Sequence, residues 1–443
     1  MTKNSSAARD VALAALTTIE KEGAYSNHVL QAETRRQRLS PRDEGLVWRL
    51  VYGVVTHRLC LDYILNQFCR RKVSSLSPVL RNILRLACYQ LIYLERIPDY
   101  AAVNEAVTKD RKVAGGGMAG FVNGVLRNVV GNRDQLFQNL RPGTVEEISV
   151  RHSHPQWMVE AWVERWGSDF SAALCAANNE VAPLTVRVNT TRIGVDDFIA
   201  AAAQVGLQGQ RGKYCDKAVV FHDHTPFNML PGFGDGWFIV QGEASMLPAL
   251  CLGVQPGQDV LDMCSAPGGK ATQLAQLSYP GKVLACDLYP HRLKLVAENA
   301  QRLGLDNCLT ALGDAALLEG KLNRHFERIL LDAPCSGLGV IRNKPDIKWS
   351  RKPQDIEDLA ALQLRLLKAG CNLLAPGGFL VYSTCTITKQ ENQEVIDALL
   401  EERRDMLVVD SCLPDLVPSG YISTFPHLHG LDGFFIAKLK KVV

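Results

Sequence analysis

Apolar residues recur every three to four positions from residue 5 to about 130, the period of helices that bury one face. LSPRDEGLVWRLVYGVV offers Ser40 as N-cap, Pro41 at the first helical position, and Asp43 and Glu44 in the first turn. SLSPVLRNILRLACYQLIYL repeats the device with Ser77 and Pro78. RPGT at 141–144 marks a boundary, and HPQWMVEAWVERWG after it reads as a helix with Trp157, Met158, Trp162 and Trp166 mostly on one face, toward a core. Over 184–241 the period changes. LTVRVN alternates, VDDFIAAAAQVG is helical, and KAVVFH and WFIVQ are strand-like, which predicts a small mixed α/β module similar in pattern to RNA-recognition folds but without their aromatic strand motif. From about 245 the order is strand, loop, helix, repeated: DVLDMC, GGKATQLAQL, KVLACD, PHRLKLVAENAQRLG, RILLDAP, LAALQLRLLKAGCNLL, GFLVYSTC. Alternation of that kind specifies a mainly parallel sheet covered by helices, with ligands at the carboxyl ends of the strands. The expected fold class is an all-α N-terminal domain (1–144), linker helices with a small α/β module (145–240), and a Rossmann-like α/β domain (241–443).

Charge sharpens the division. Residues 1–145 hold 21 Lys and Arg against 12 Asp and Glu, whereas the whole chain carries only +3. A basic front on a slightly acidic body points to nucleic acid or another polyanion as partner. Arg35, Arg36 and Arg38, and then Arg70, Arg71 and Lys72, cluster at element ends from which side chains can reach a phosphate backbone. AGGGMAG at 114–120 has no strand before it and no Gly-Lys-Ser/Thr after it, so it reads as a helix-entry loop rather than a phosphate loop. No apolar stretch reaches the roughly 18 residues of a membrane span, and the N-terminus lacks a signal-peptide pattern, so the expectation is a cytoplasmic protein. Thirteen cysteines without a C-x-x-C pair lead us to expect neither disulfides nor a metal site.

The chemistry-bearing residues fall at the predicted strand ends. DMCSAPGGK at 262–270 follows the first strand and opens its helix. Gly268 and Gly269 allow close backbone approach, and the helix N-terminus supplies N–H groups for an anionic or carboxylate-bearing ligand. Ala271 stands where a nucleotide-hydrolysing loop needs a magnesium-binding hydroxyl, so nucleotide hydrolysis is disfavoured. Asp287 ends the next strand, where doubly wound folds place a carboxylate on a ribose diol, and implies an adenosine-containing cofactor. Asp314 in LGDAAL is a candidate acceptor for an adenine amino group, although a turn cap is the commoner use of such an Asp. Cys335 in LDAPCSGLG and Cys385 in FLVYSTCTI both end strand-like runs at one sheet edge, so either can serve as a nucleophile in a common pocket. Asp332 stands just ahead of Pro334 and Cys335.

In this order CSAPGGK, Asp287, Asp314, DAPCSGLG, PDIKW and STCT resemble the S-adenosylmethionine-dependent RNA cytosine-5 methyltransferases, and the helical front, with SPRDEGLVWRLVYGVV and FVNGVLRNV, resembles the RNA-binding NusB domain. The resemblance covers nearly the whole chain. It implies S-adenosyl-L-methionine as cofactor, held by Cys264, Ser265, Ala266, Pro267, Gly268, Gly269 and Lys270 with Asp287, Asp314 and Asp332, and a specific cytosine of small-subunit (16S) ribosomal RNA as substrate. It further implies that Cys385 is the nucleophile, that Cys335 serves product release and that Asp332 serves the base pocket, in a monomer that needs no metal or membrane. Carbon 5 of cytosine is a poor nucleophile, so a thiolate must first add at carbon 6, to a base that is unpaired or flipped out. A DNA cytosine methyltransferase would use the Pro-Cys position instead, a transfer-RNA enzyme would differ only in substrate, and an antitermination-like protein would bind RNA without the cofactor. Two positions depart from the family pattern: Ser265 replaces a usual alanine, and Arg342, Asn343 and Lys344 replace Arg-Arg-His before PDIKW.

Overall fold

The computed structural model describes residues 3–37, 39–113, 117–222, 227–322, 324–410, 413 and 420–442. Arg38 of the first basic cluster and residues 114–116 of the glycine-rich segment lie outside them. The described chain forms two compact units: Met1–Glu180 with Lys344–Ser350, and Val181–Asn343 with Arg351–Val443.

The first unit is helical, as its periodicity predicts. Its N-terminal part runs Lys3–Glu22, Ser26–Gln37, Pro41–Thr56, Arg58–Asn66, Pro78–Tyr93, Asp99–Val113 and Ala119–Gly131. The N-caps form as read: Ser40 Oγ accepts from Asp43 N at 3.2 Å and Ser77 Oγ from Leu80 N at 3.4 Å. Val47, Leu50, Val54, Ile64, Leu84, Val122 and Leu126 fill the core. Gly53 is required by a close approach, since a Cβ there would lie 2.0 Å from the Tyr89 ring. Three further helices, Val145–Arg151, Gln156–Trp166 and Ser168–Asn178, follow; Met158 and Trp162 are buried, and Trp157 and Trp166 are half-buried. Arg35, Arg36, Arg70, Arg71 and Lys72 are all exposed.

The segment Lys344–Ser350 belongs to this unit although it is distant in sequence. Asp346 accepts from Ser26 Oγ at 2.6 Å, and Trp349 Nε1 donates to Val55 O at 2.7 Å. Lys348 is 1% exposed, and its Nζ donates to Thr56 O at 2.7 Å and Asn179 Oδ1 at 2.9 Å, both neutral oxygens. Burial of an ammonium without a counter-charge disfavours the charged form, and it lowers Lys348 from 10.5 to about 7.

The second unit contains two sheets. The smaller is antiparallel in the order β2-β3-β1-β4, from β1 (Leu184–Val188), β2 (Gln210–Arg211), β3 (Ala218–Phe221) and β4 (Phe238–Val240). Val186, Phe198, Phe221 and Phe238 pack its core beneath the helix Val195–Gln204. The larger sheet comprises β5 (Val260–Asp262), β6 (Val283–Asp287), β7 (Cys308–Leu312), β8 (Phe326–Asp332), β9 (Leu374–Thr384), β10 (Met406–Val409), β11 (Tyr421–Ser423) and β12 (Phe435–Lys441). Its order is β10-β12-β9-β8-β5-β6-β7, with β11 also on β12. Strands β5 to β9 pair in parallel, and β10 to β12 add an antiparallel edge that helix–strand alternation does not announce. Leu330 and Val381 face one helical layer, whereas Ile329, Leu331, Leu380 and Tyr382 face the other, the period-two alternation of a sheet covered on both sides. Among the described residues no helix is long and apolar enough to cross a membrane.

Lys348 generates a prediction whose sign follows from linkage. Between about 7 and 10.5 the unfolded chain keeps the lysine proton and the folded chain does not, so this group's contribution to stability rises with pH across that window and is flat, at its full cost, below it. Subtracting the stability of Lys348→Met from that of the wild type, by thermal or denaturant melts at several pH values, should give a difference that climbs from neutral to alkaline pH. A pH-independent difference would mean that the lysine is not buried as a strained cation.

Candidate active site

The carboxyl ends of the parallel strands carry a row of aspartates. Asp262 ends β5, Asp287 ends β6, Asp314 lies two residues past β7, and Asp332 ends β8. Between the first two, Cys264 to Lys270 form the turn into the helix Gly269–Ser278. Ser265 replaces alanine productively: both its N and its Oγ donate to Cys286 O, at 2.8 and 2.9 Å. The Ala266–Pro267 peptide is cis, and Gly268 has φ +106°, with a Cβ there only 3.1 Å from Val296 Cα. Left-handed backbone and this close packing both require glycine. Asp287 is 5% exposed and accepts from Ala266 N at 3.3 Å and Tyr289 N at 3.1 Å, which fixes the turn against the end of β6. Asp314 caps the short helix Ala315–Leu317 through Ala316 N at 2.9 Å, and its carboxylate remains half-exposed.

Lys270 turns its ammonium to the next strand end. Nζ lies 2.7 Å from Asp332 Oδ2 and 3.0 Å from Ser245 Oγ, and the Phe434 ring centroid is 5.3 Å away. Ser383 Oγ donates to Asp332 Oδ1 at 2.8 Å, so both oxygens of this carboxylate are held. Asp262, which sequence reasoning did not single out, is fully buried. Burial and then the charge of Asp332 push its carboxyl up to about 7.

The two candidate cysteines come together. Strands β8 and β9 pair with Asp332 opposite Ser383, and Ala333 N donates to Ser383 O at 2.8 Å, so the chain leaves both strands at one level. Cys335 Sγ lies 3.2 Å from Cys385 Sγ. The contact with Cys385, then burial, then the charges of Cys385, Glu391 and Asp332 hold the Cys335 thiol well above the usual range. Either sulfur can be the donor in this pair. Past the cysteine, Gly339 N donates to Cys385 O at 3.0 Å and Gly433 N donates to Gly339 O at 2.8 Å. A Cβ on Gly339 would stand 1.9 Å from Gly433 O. The unusual Arg342 and Asn343 are both engaged by Asp432, at 2.6 and 2.9 Å, and Lys344 lies with the first unit.

Sequence reasoning missed other contributors. Arg187 of β1 is 1% exposed and donates to Gly269 O at 2.6 Å, Thr272 Oγ1 at 2.9 Å and Gln241 Oε1, which pins the first turn of the helix after the glycines. Glu391 is fully buried, beside the cysteines. An arginine in the alternating strand LTVRV and a glutamate in a polar turn give no local signal of such roles.

Residues 249–440 match the family described as 16S rRNA methyltransferase RsmB/F, residues 6–131 the NusB family, and residues 154–228 a ferredoxin-like domain described as RsmF/B-like. Ribosomal RNA small subunit methyltransferase B of Escherichia coli O1:K1 is 32% identical, with 98% of each chain covered. The Bacillus subtilis (strain 168) protein, described as a probable enzyme of that name, is 38% identical over 98% of each. The chain belongs to the ribosomal RNA small-subunit methyltransferase B family. NSun6 from Pyrococcus horikoshii, solved with SFG, is also similar in structure: TM-score 0.58 and 25% identity, over 64% of this chain and 97% of that one. Membership agrees with the helical NusB part, the Rossmann-like sheet and the motif order, and makes the chain an rRNA methyltransferase.

The backbone crossing at Gly339 gives a prediction for this family member. Gly339→Ala must push the Gly433 backbone away, and overpacking of this kind costs about 1–3 kcal/mol. A lowered thermal midpoint together with reduced rRNA methylation is expected. Wild-type values of both would show that the loop has room to spare.

Proposed function

We propose that this protein transfers a methyl group from S-adenosylmethionine to carbon 5 of a cytosine in small-subunit ribosomal RNA, through a covalent bond between Cys385 and carbon 6 of the base. The observation that carries the reading is the pair of sulfurs 3.2 Å apart, at the ends of adjacent parallel strands and beside the Asp332–Lys270 pair. The family resemblance carries the choice of position, cytosine 967, in the 16S RNA of the cytoplasm. In the proposed division, residues 1–144 hold RNA through their basic surface, 145–240 form a second RNA-binding part, and 241–443 carry out the transfer.

The row of strand ends fits the cofactor. Gly268, Gly269 and the helix N-terminus suit its methionine end, Asp287 its ribose and Asp314 its adenine. Leu288, Tyr289, Leu312 and Leu317 are 52, 49, 58 and 60% exposed beside those two aspartates, apolar surface of the kind a planar base covers. When bound, S-adenosylmethionine supplies an electrophilic methyl on a sulfonium sulfur.

Asp332, fixed by Lys270 and Ser383, binds the polar edge of the cytosine ring and orients carbon 6 toward Cys385. The Cys385 thiolate adds there, and the displaced electron pair of the C5–C6 double bond takes the methyl at carbon 5. Alkylation occupies the Cys385 sulfur, which removes the hydrogen-bonded contact that is the leading cause of the raised Cys335 thiol. Cys335 gives its thiol proton to solvent and, as thiolate, takes the proton from carbon 5; the C5–H pair restores the double bond, and the C6–S bond breaks with Cys385 leaving as thiolate. The geometry thus supports opposite roles for two chemically identical side chains.

The deciding experiment is transfer of labelled methyl from S-adenosylmethionine to unmodified small-subunit RNA, with the modified nucleoside identified. Cys385→Ala should abolish transfer, whereas Cys335→Ala should methylate once and stay attached to RNA, visible as a shifted band on a denaturing gel. Loss of the first chemical step in Cys335→Ala, with transfer retained by Cys385→Ala, would reverse the roles; 5-methylcytosine in transfer RNA alone would reassign the substrate. Asp287→Ala should weaken cofactor binding by about tenfold, in line with one lost charge-assisted hydrogen-bond acceptor, and leave RNA affinity as it was. Equal weakening of both would make Asp287 a structural residue.

A further inference from the structure

Glu391 is 0% exposed, and its carboxylate is saturated by four neutral donors. Oε1 accepts from Ser336 N at 2.7 Å and Gln363 Nε2 at 3.0 Å; Oε2 accepts from Ser336 Oγ at 2.5 Å and Thr388 Oγ1 at 2.7 Å. Burying a carboxylate without a cationic partner is costly, and it is tolerated only where every lone pair finds a donor. The next residue, Asn392, is 3% exposed and grips both neighbours of Cys385: it accepts from Thr384 Oγ1 at 2.6 Å and donates to Thr386 O at 3.0 Å. Adjacent residues of one turn therefore hold the residue after Cys335 and the two residues flanking Cys385.

We propose that Glu391 is a positioning residue which, with Asn392 as its second arm, sets the distance between the sulfurs of Cys335 and Cys385 and so couples the covalent step to product release. Glu391 acts through Ser336 on the Cys335 side. The cysteine roles rest on the reading given above, but the spacing itself does not. Neutralising the carboxylate in Glu391→Gln brings an NH2 group against hydrogen-bond donors and pushes Ser336, and Cys335 with it, out of register. Removal of the proton from carbon 5 by Cys335 is the step most sensitive to that displacement, and misplacement by about 1 Å can slow a reaction a hundredfold. Glu391→Asp keeps the charge and should restore part of the loss.

The test has two independent readouts on the full-length protein. The first is the equilibrium in which oxidised glutathione converts the two thiols to an intramolecular Cys335–Cys385 disulfide with release of two reduced glutathiones, read by mass spectrometry of the linked peptide. The second is the decay of the covalent protein–RNA adduct. Glu391→Gln should lower the effective concentration of the thiol pair about tenfold or more and prolong the adduct, with Glu391→Asp in between. Cofactor binding, measured by equilibrium dialysis, should stay at the wild-type value and serves as the folding control. Wild-type thiol equilibrium and adduct lifetime in Glu391→Gln would overturn the proposal. If that variant does not fold, Ser336→Ala, which removes one of the four bonds and keeps the charge, must shift both readouts in the same direction, and no shift there would overturn it as well. If the wild type forms no adduct, the cysteine roles fail, while the thiol equilibrium still decides whether Glu391 sets the spacing.

Discussion

The parallel pairing of β8 with β9 is the constraint on which the site depends. Arg328 to Asp332 lie opposite Phe379 to Ser383 in unbroken register. A slip of one residue would exchange the faces of Leu330 and Leu331 and unpack both helical layers, so burial itself fixes the register. Once it is fixed, the chain must leave both strands at the same height, three residues before Cys335 and two before Cys385. Hydrophobic alternation further down the strands thus brings the two cysteines to one level of the sheet.

A second constraint is electrostatic. Asp262, Asp287 and Asp332 crowd one buried edge, and the cation with which Asp332 is paired there is Lys270, itself only 10% exposed at its side chain. In a low-dielectric setting such carboxylates cannot all ionise without cost. Asp332 is held by Lys270 and Ser383, and the buried Asp262 is the one driven toward its neutral form. Fixed dipoles and one ammonium thereby present a single well-oriented carboxylate beside the cysteines, the kind of preorganisation that needs no rearrangement during a reaction.

Much of this was legible in the chain because it is local. N-caps at Ser40 and Ser77, the helical and strand periods, and the positions of Asp287, Asp332, Cys335 and Cys385 at strand ends all follow from patterns within ten residues or so. What was not legible depends on partners far apart in sequence. Lys348 reads as an ordinary surface lysine until Thr56 and Asn179 enclose it. Arg187 becomes a clamp on the helix after the glycines only when β1 packs against that turn. The antiparallel edge β10–β12 escapes alternation counting because, among the described residues, only the four-residue helix Pro426–His429 lies between its strands. Asp314 illustrates a third case: its turn-capping bond to Ala316 N is the ordinary use of such a residue, and the half-exposed carboxylate leaves an acceptor available beyond it.

The contrast between Cys335 and Cys385 is the clearest instance of environment overriding residue type. Both are thiols at strand ends, and sequence placement alone treats them as equals. Burial and the charges of Glu391 and Asp332 bear on Cys335, and each favours its protonated form. Either sulfur can donate across the 3.2 Å between them, and a donated hydrogen bond stabilises an anion on the acceptor. In the proposed division of roles that bond runs from Cys335, whose surroundings favour the thiol, to Cys385, and the arrangement is short-ranged. It needs only that the spacing be kept, and that requirement falls on the buried hydrogen bonds which tie Ser336 and the flanks of Cys385 to one turn.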